Sequence, residues 1–133
     1  MTKRCLGIAF GFTVVASAFH FADNAARFAH YHDAATSWFN PASVVVAWFL
    51  QVALGATGFL LDRNGRPAGR PILLGYSTLG FAGFLHYLVP PMEGMDVMMH
   101  VLIAFEAIAS AILLAVILTR HDATKQGGLE THH

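Results

Sequence analysis

Four apolar segments, at 5–22, 41–61, 71–89 and 97–118, take up most of this 133-residue chain. A helix needs ~20 mostly apolar residues to cross the hydrocarbon core of a bilayer, and each segment is near that length. The chain is 56% hydrophobic and 12% charged, where a soluble domain carries roughly 25% charged residues. The sequence therefore predicts an all-α, polytopic membrane protein. Its transmembrane domain is a left-handed four-helix bundle over residues 1–120, followed by a flexible cytoplasmic tail over 121–133. With equal numbers of acidic and basic residues, nothing points to nucleic acid. The single cysteine, Cys5, forms neither an internal disulfide nor a cysteine-based zinc site.

Proline opens the second and third segments, where its missing N–H is harmless, and Pro90-Pro91 closes the third. The link from Leu61 to Arg70 contains Asn64-Gly65 and Pro67 and reads as a turn. Glycines at 55, 58, 75, 80 and 83 suit close helix approach. Basic residues set the orientation. Lys3, Arg4, Arg63, Arg66, Arg70, Arg120 and Lys125 fall on one side and only Arg27 on the other. The expectation is a multi-pass protein of a bacterial-type inner membrane with both termini in the cytoplasm. Lys3-Arg4 before an apolar run ending in Ala16-Ser17-Ala18 also fits a cleavable signal peptide, which would leave three spans. The expected partners are the bilayer itself and either further copies of the chain or a larger membrane complex.

Within that topology, His20, His86 and His100 fall at one depth near the outer face, on three different helices. Polar titratable groups at that depth are expensive to place and point to function. His20, Asp23, Asn24 and Arg27 are spaced i, i+3, i+4 and i+7, and Asp96 and His100 i, i+4, so each set shares a helix face. Imidazole suits Zn, Cu and Fe, and the methionines at 92, 95 and 99 suit Cu(I). A neighbouring carboxylate would orient a ligating ring. The candidate metal ligands are thus His20, His86 and His100, with Asp23 or Asp96 completing the set. His30, His32 and Asp33 lie in an adjoining loop. Trp38, Phe39, Tyr31 and Tyr87 read as an interfacial aromatic belt.

Glu106 stands apart near the bilayer midplane, where a carboxylate needs a partner. Gln51 is the neutral candidate, with Ser110 one turn further along. Glu106 is the candidate catalytic acid–base group. Four readings are compatible with these residues, led by a Cu, Fe or Zn site near the outer membrane face for metal binding or redox chemistry, with a b-type haem held by two histidines as an alternative. The other two are a metal-free enzyme moving protons on a lipid-soluble substrate, and a non-catalytic subunit of a membrane complex. Nothing resembles a serine triad, a P-loop or a dinucleotide fingerprint.

Overall fold

The computed structural model describes residues 3–31, 39–88 and 95–129, the last nine as backbone only. His32, Asp33, Trp38, Met92, Glu93, the Pro90-Pro91 pair and the closing His132-His133 lie outside the described residues. The described chain is helical throughout. Helix α1 spans Lys3–Ala26, the single-turn α2 Phe28–Tyr31, α3 Pro41–Arg63, α4 Gly69–Leu79 and α5 Val97–Leu129, with a 3₁₀ helix at Ala82–Tyr87 between α4 and α5. Three of these, α1, α3 and α5 over Val97–Arg120, are long and apolar enough to cross a membrane. Helix α5 continues through Leu129, beyond the point where the polar composition suggests a tail.

The third apolar segment departs from the expectation of one continuous helix. Helix α4 has 11 residues, about 16 Å at 1.5 Å per residue, roughly half a hydrocarbon core. The backbone then tightens. Phe81 N bonds Thr78 O at 3.1 Å, and Phe84 N bonds Phe81 O at 3.0 Å. The cause is local: Gly80 and Gly83 weaken helix propensity, and each is pressed against a neighbouring helix. A methyl group on Gly80 would meet Ser110 Cβ at 2.7 Å, and one on Gly83 would meet the His20 ring at 3.1 Å. Short 3₁₀ stretches commonly replace an α-turn where packing demands a tighter path.

The helices form a ring in which α1 packs on α5 and α3, while α4 packs on α3 and α5. Two seams hold it. On α1 the buried side is Leu6, Ala9, Thr13, Ala16, Ser17, His20 and Asn24. On α5 it is Met99, Ile103, Glu106, Ser110, Leu113 and Ile117. Both recur in steps of three and four, with Ala16 and Ser17 side by side on α1, the spacing of side chains that interlock between helices of a left-handed bundle. Thr13 Oγ1 donates to the Ala9 carbonyl at 3.0 Å and faces the Ala109 carbonyl of α5 at 3.2 Å. Helices α3 and α4 close tightly because Gly55 admits the Tyr76 ring and Gly58 admits Ile72 and Leu73. Gly75, by contrast, faces open space.

Local signals fix the ends. Asn40 caps α3 by accepting from Ser43 N at 3.2 Å, while Ser43 Oγ accepts from Asn40 N at 3.0 Å, a reciprocal capping pair. Asn64-Gly65 ends α3 with Gly65 at φ 69°, a conformation that glycine adopts freely. At that end, Arg120 pairs with Asp62 at 2.9 Å, and Lys3, Arg4 and Arg63 line the same crevice. The basic residues thus gather at one end of the bundle. Along the spans large apolar side chains are exposed, among them Ile8, Phe19, Phe49, Leu50 and Ile108, as a bilayer environment requires. Near the basic end the interior is largely apolar too, formed by Leu6, Ala9, Leu73, Tyr76, Leu113, Val116 and Ile117.

Candidate functional site

The polar half of the interior lies at the other end. His20 on α1 and Glu106 on α5 are joined through Nδ1 and Oε2, with side chains 4% and 2% exposed. Taking such a pair out of water is unfavourable, and only close, well-directed bonding offsets it. The 3₁₀ helix brings His86 against His20, with ring centroids 5.7 Å apart and planes at 66°. Asn24, one turn beyond His20 on α1, approaches His86 Nε2 through Nδ2 at 3.4 Å. Around these groups lies a cavity of ≈ 560 Å³. Its wall includes His20, Phe21, Asn24, Ser43, Val44, Leu79, Gly83, His86 and Glu106. Ala47, Ala82 and Leu85 also line it and are themselves exposed, so its mouth lies between α3 and the 3₁₀ helix on the apolar surface. The volume is within the usual 300–1,000 Å³ of small-molecule sites, and the makeup, mostly apolar with a few convergent polar groups, is typical of them.

A second, separate cluster closes the end of the bundle. Arg27 grips Asp23 through Nη2 and Nε (the latter at 2.8 Å) and Asp96 through Nη1. Tyr31 donates to Asp23 at 2.9 Å, and its ring lies under the guanidinium at 5.8 Å. Asp96 accepts from Met99 N at 3.0 Å, capping α5 as an aspartate at a helix start does. That bond, with the Arg27 charge, holds the Asp96 carboxyl below its ordinary 3.8. Burial first, then the bond to Asp23, pushes the Tyr31 phenol up, so it remains a donor. A carboxylate with a lowered pKa contributes stability that is fully present above its unfolded value and is lost as pH falls through the folded one. Thermal unfolding midpoints in detergent should therefore fall on acidification below about pH 4. Asp96→Asn should lower the midpoint at neutral pH and flatten that acid limb. An unchanged limb in the variant would exclude this account.

The structure thus brings together His20, His86 and Glu106 and places the other sequence candidates elsewhere. His100 is exposed on α5, stacked on Tyr87 at 5.6 Å, with Nδ1 2.9 Å from the tyrosine hydroxyl. Asp23 and Asp96 are engaged by Arg27. Among the described residues, no three His, Cys, Asp or Glu side chains are grouped so that they could hold a metal ion. The reason is angular. His100 is at the right depth but one residue off the buried seam of α5, which carries Met99 instead. Met99 itself is fully buried on Tyr31 and Ile103, with Met95 packed on the same cluster, so these methionines fill space. Gln51 does not meet Glu106: α3 and α5 stand diagonally in the ring, and Gln51 Nε2 is buried with no hydrogen-bond partner among the described residues.

Sequence reading missed Ser17, Tyr76 and Trp48. Trp48 Nε1 donates to Ser17 Oγ at 3.2 Å. The signal was present: Thr13, Ser17, His20 and Asn24 are spaced four, three and four, a polar stripe on one face of an otherwise apolar helix. No family model, curated protein or solved structure matches this chain. Fold and composition define the class, a helical membrane protein.

Proposed function

We propose that the protein is a metal-free acid–base catalyst acting on a lipid-soluble substrate taken from the membrane. The observation that carries this reading is the buried His20–Glu106 pair in the wall of an apolar cavity that opens on the lipid-facing surface. Glu106 and His20 are hydrogen-bonded to each other. One can deliver a proton to an unsaturated or carbonyl-bearing substrate while the pair removes another, giving a proton shift that needs no oxidant, reductant or cofactor. Exclusion of bulk water strengthens every electrostatic interaction in the site. His86 and Asn24 would orient the polar end of the substrate, and Phe21, Val44 and Leu79 its apolar body. By the weight of Lys and Arg, the basic end faces the cytoplasm and the cavity lies toward the outer face of an inner membrane. The α4–3₁₀ segment completes a four-helix transmembrane domain.

The test uses the full chain purified from its native membrane into nanodiscs in D₂O. Mass spectrometry of the organic extract should show one class of lipid-soluble molecule retained by the wild type, with deuterium exchanged into carbon positions. Glu106→Gln, which preserves size and hydrogen bonding, should abolish the exchange. His86→Leu should lower retention several-fold, the effect of losing a hydrogen-bond partner worth about 0.5–1.5 kcal/mol. Identical extracts from all three proteins, with no deuterium in any, would refute the proposal.

A further inference from the structure

The basic end of the bundle holds a second, smaller cavity of ≈ 210 Å³, built by three helices. Helix α1 contributes Lys3 and Arg4, α3 contributes Asp62 and Arg63, and α5 contributes Arg120. Arg120 Nη1 donates to Asp62 Oδ2 at 2.9 Å, with both side chains partly buried. That bond ties the end of α5 to the end of α3 and engages the one carboxylate of the wall. Lys3, Arg4 and Arg63 are exposed and, among the described residues, have no ion-pair partner. Cations gathered round one space without a matching counter-charge repel each other, and a bound anion relieves that repulsion. The floor is apolar. Gly7 presents no side chain there; a methyl group on it would lie 3.8 Å from the Phe59 ring, which stacks on Phe10 at 5.0 Å. Ile8 and Leu60, the chain neighbours of Gly7 and Phe59, are exposed on the apolar surface. The cavity thus joins a cationic rim to the lipid-facing side of α1 and α3.

We propose that this crevice binds the headgroup of an anionic phospholipid, its phosphodiester held by Lys3, Arg4 and Arg63 and its acyl chains running out past Phe59 along α1 and α3. Basic recesses between membrane helices are suited to such headgroups. A guanidinium fork takes two phosphate oxygens at once, and a lysine adds a mobile point charge. The size favours a lipid over a free metabolite: ≈ 210 Å³ is below the about 300–1,000 Å³ that encloses a whole small molecule, but a headgroup leaves its chains outside. The excess of cations selects a lipid with net negative charge, because the headgroup cation of a zwitterionic lipid would face cations of the protein. Orientation in the membrane needs only the number of basic residues on one side and no cavity to hold them. Arg66 separates the two roles: it is exposed at the same end and adds to the same bias, but it does not line the crevice. The site is at the opposite end of the bundle from the His20–Glu106 pair and does not rest on the acid–base reading.

Two measurements on the full chain decide it. The first uses the wild type in bilayers of phosphatidylglycerol and phosphatidylcholine, so it stands even where a variant fails to fold. In solid-state NMR, lipid ³¹P should dephase the Cζ carbons of Arg4 and Arg63 several-fold more strongly than that of Arg66. Equal dephasing at all three, or none at any, overturns the proposal. The second is native mass spectrometry from detergent with the two lipids at equal concentration and with matched chains. Phosphatidylglycerol should be retained several-fold over phosphatidylcholine. Lys3→Gln/Arg4→Gln/Arg63→Gln should abolish that preference, and Arg66→Gln should leave it intact. A preference that survives the triple variant, or that is lost equally in Arg66→Gln, overturns the proposal. Excess inorganic phosphate should leave the lipid in place; complete displacement would make this a site for a free anion and overturn it as well.

Discussion

Replacing Glu106 by leucine should destabilise the folded chain by about 3–5 kcal/mol, the usual effect of removing one partner from a buried pair. The reason is the fate of the survivor. His20 would keep its place inside the bundle, with Nδ1 stripped of its acceptor and Nε2 already lacking one. His20→Leu should be damaging for the same reason, leaving the carboxyl buried alone. The double variant His20→Leu/Glu106→Leu should recover most of the loss, because apolar residues of similar size replace buried ion pairs with little penalty. Equilibrium unfolding in mixed micelles measures all three. A double variant as unstable as the sum of the singles would show that the pair contributes nothing through its mutual bond. The expected pattern is a stable but inert protein, separating the energetic role of the pair from its chemistry.

Gly80→Ala should be the next most damaging change. The added methyl would press on Ser110, at 2.7 Å from its Cβ and closer still to its hydroxyl. Overpacking of this kind destabilises by about 1–3 kcal/mol. The local consequence matters more. Helix α4 would be forced away from α5 at the point where the 3₁₀ helix begins, carrying His86 off His20. Gly80→Ala should therefore reduce retention of a cavity ligand even in preparations that remain folded. Ser110→Gly, made in the same chain, should restore stability by transferring the missing volume. If the second change brings no recovery, contact between these two residues is not what sets the helix spacing.

The helices were legible in the sequence because apolar length, proline at helix starts and Asn64-Gly65 act locally. The crowding of basic residues at one end was legible for the same reason. The break after Leu79 was not, because it depends on what Gly80 and Gly83 touch on other helices. Within the site, depth along each span identified His20 and His86 correctly as neighbours but said nothing about angle. That is why His100, level with them, turns outward onto Tyr87. The partner of Glu106 was missed because adjacency around a ring of helices is not written in chain order. Gln51 sits at a suitable height on the diagonal helix. The repeat of three and four in Thr13–Ser17–His20–Asn24 and in Met99–Ile103–Glu106–Ser110 carries the angular information.

The plug of Leu6, Leu73, Leu113, Val116 and Ile117 has a physiological corollary. An energised membrane stores work as an ion gradient, and a continuous file of protic groups across it would act as an uncoupler. In the proposed function the polar groups His86, His20 and Glu106 form a file that ends, among the described residues, against a layer in which these aliphatic side chains pack round Tyr76. If the pair carries the proposed chemistry, its protons come and go through the cavity mouth and not through that layer, and the site samples the acidity of a single compartment.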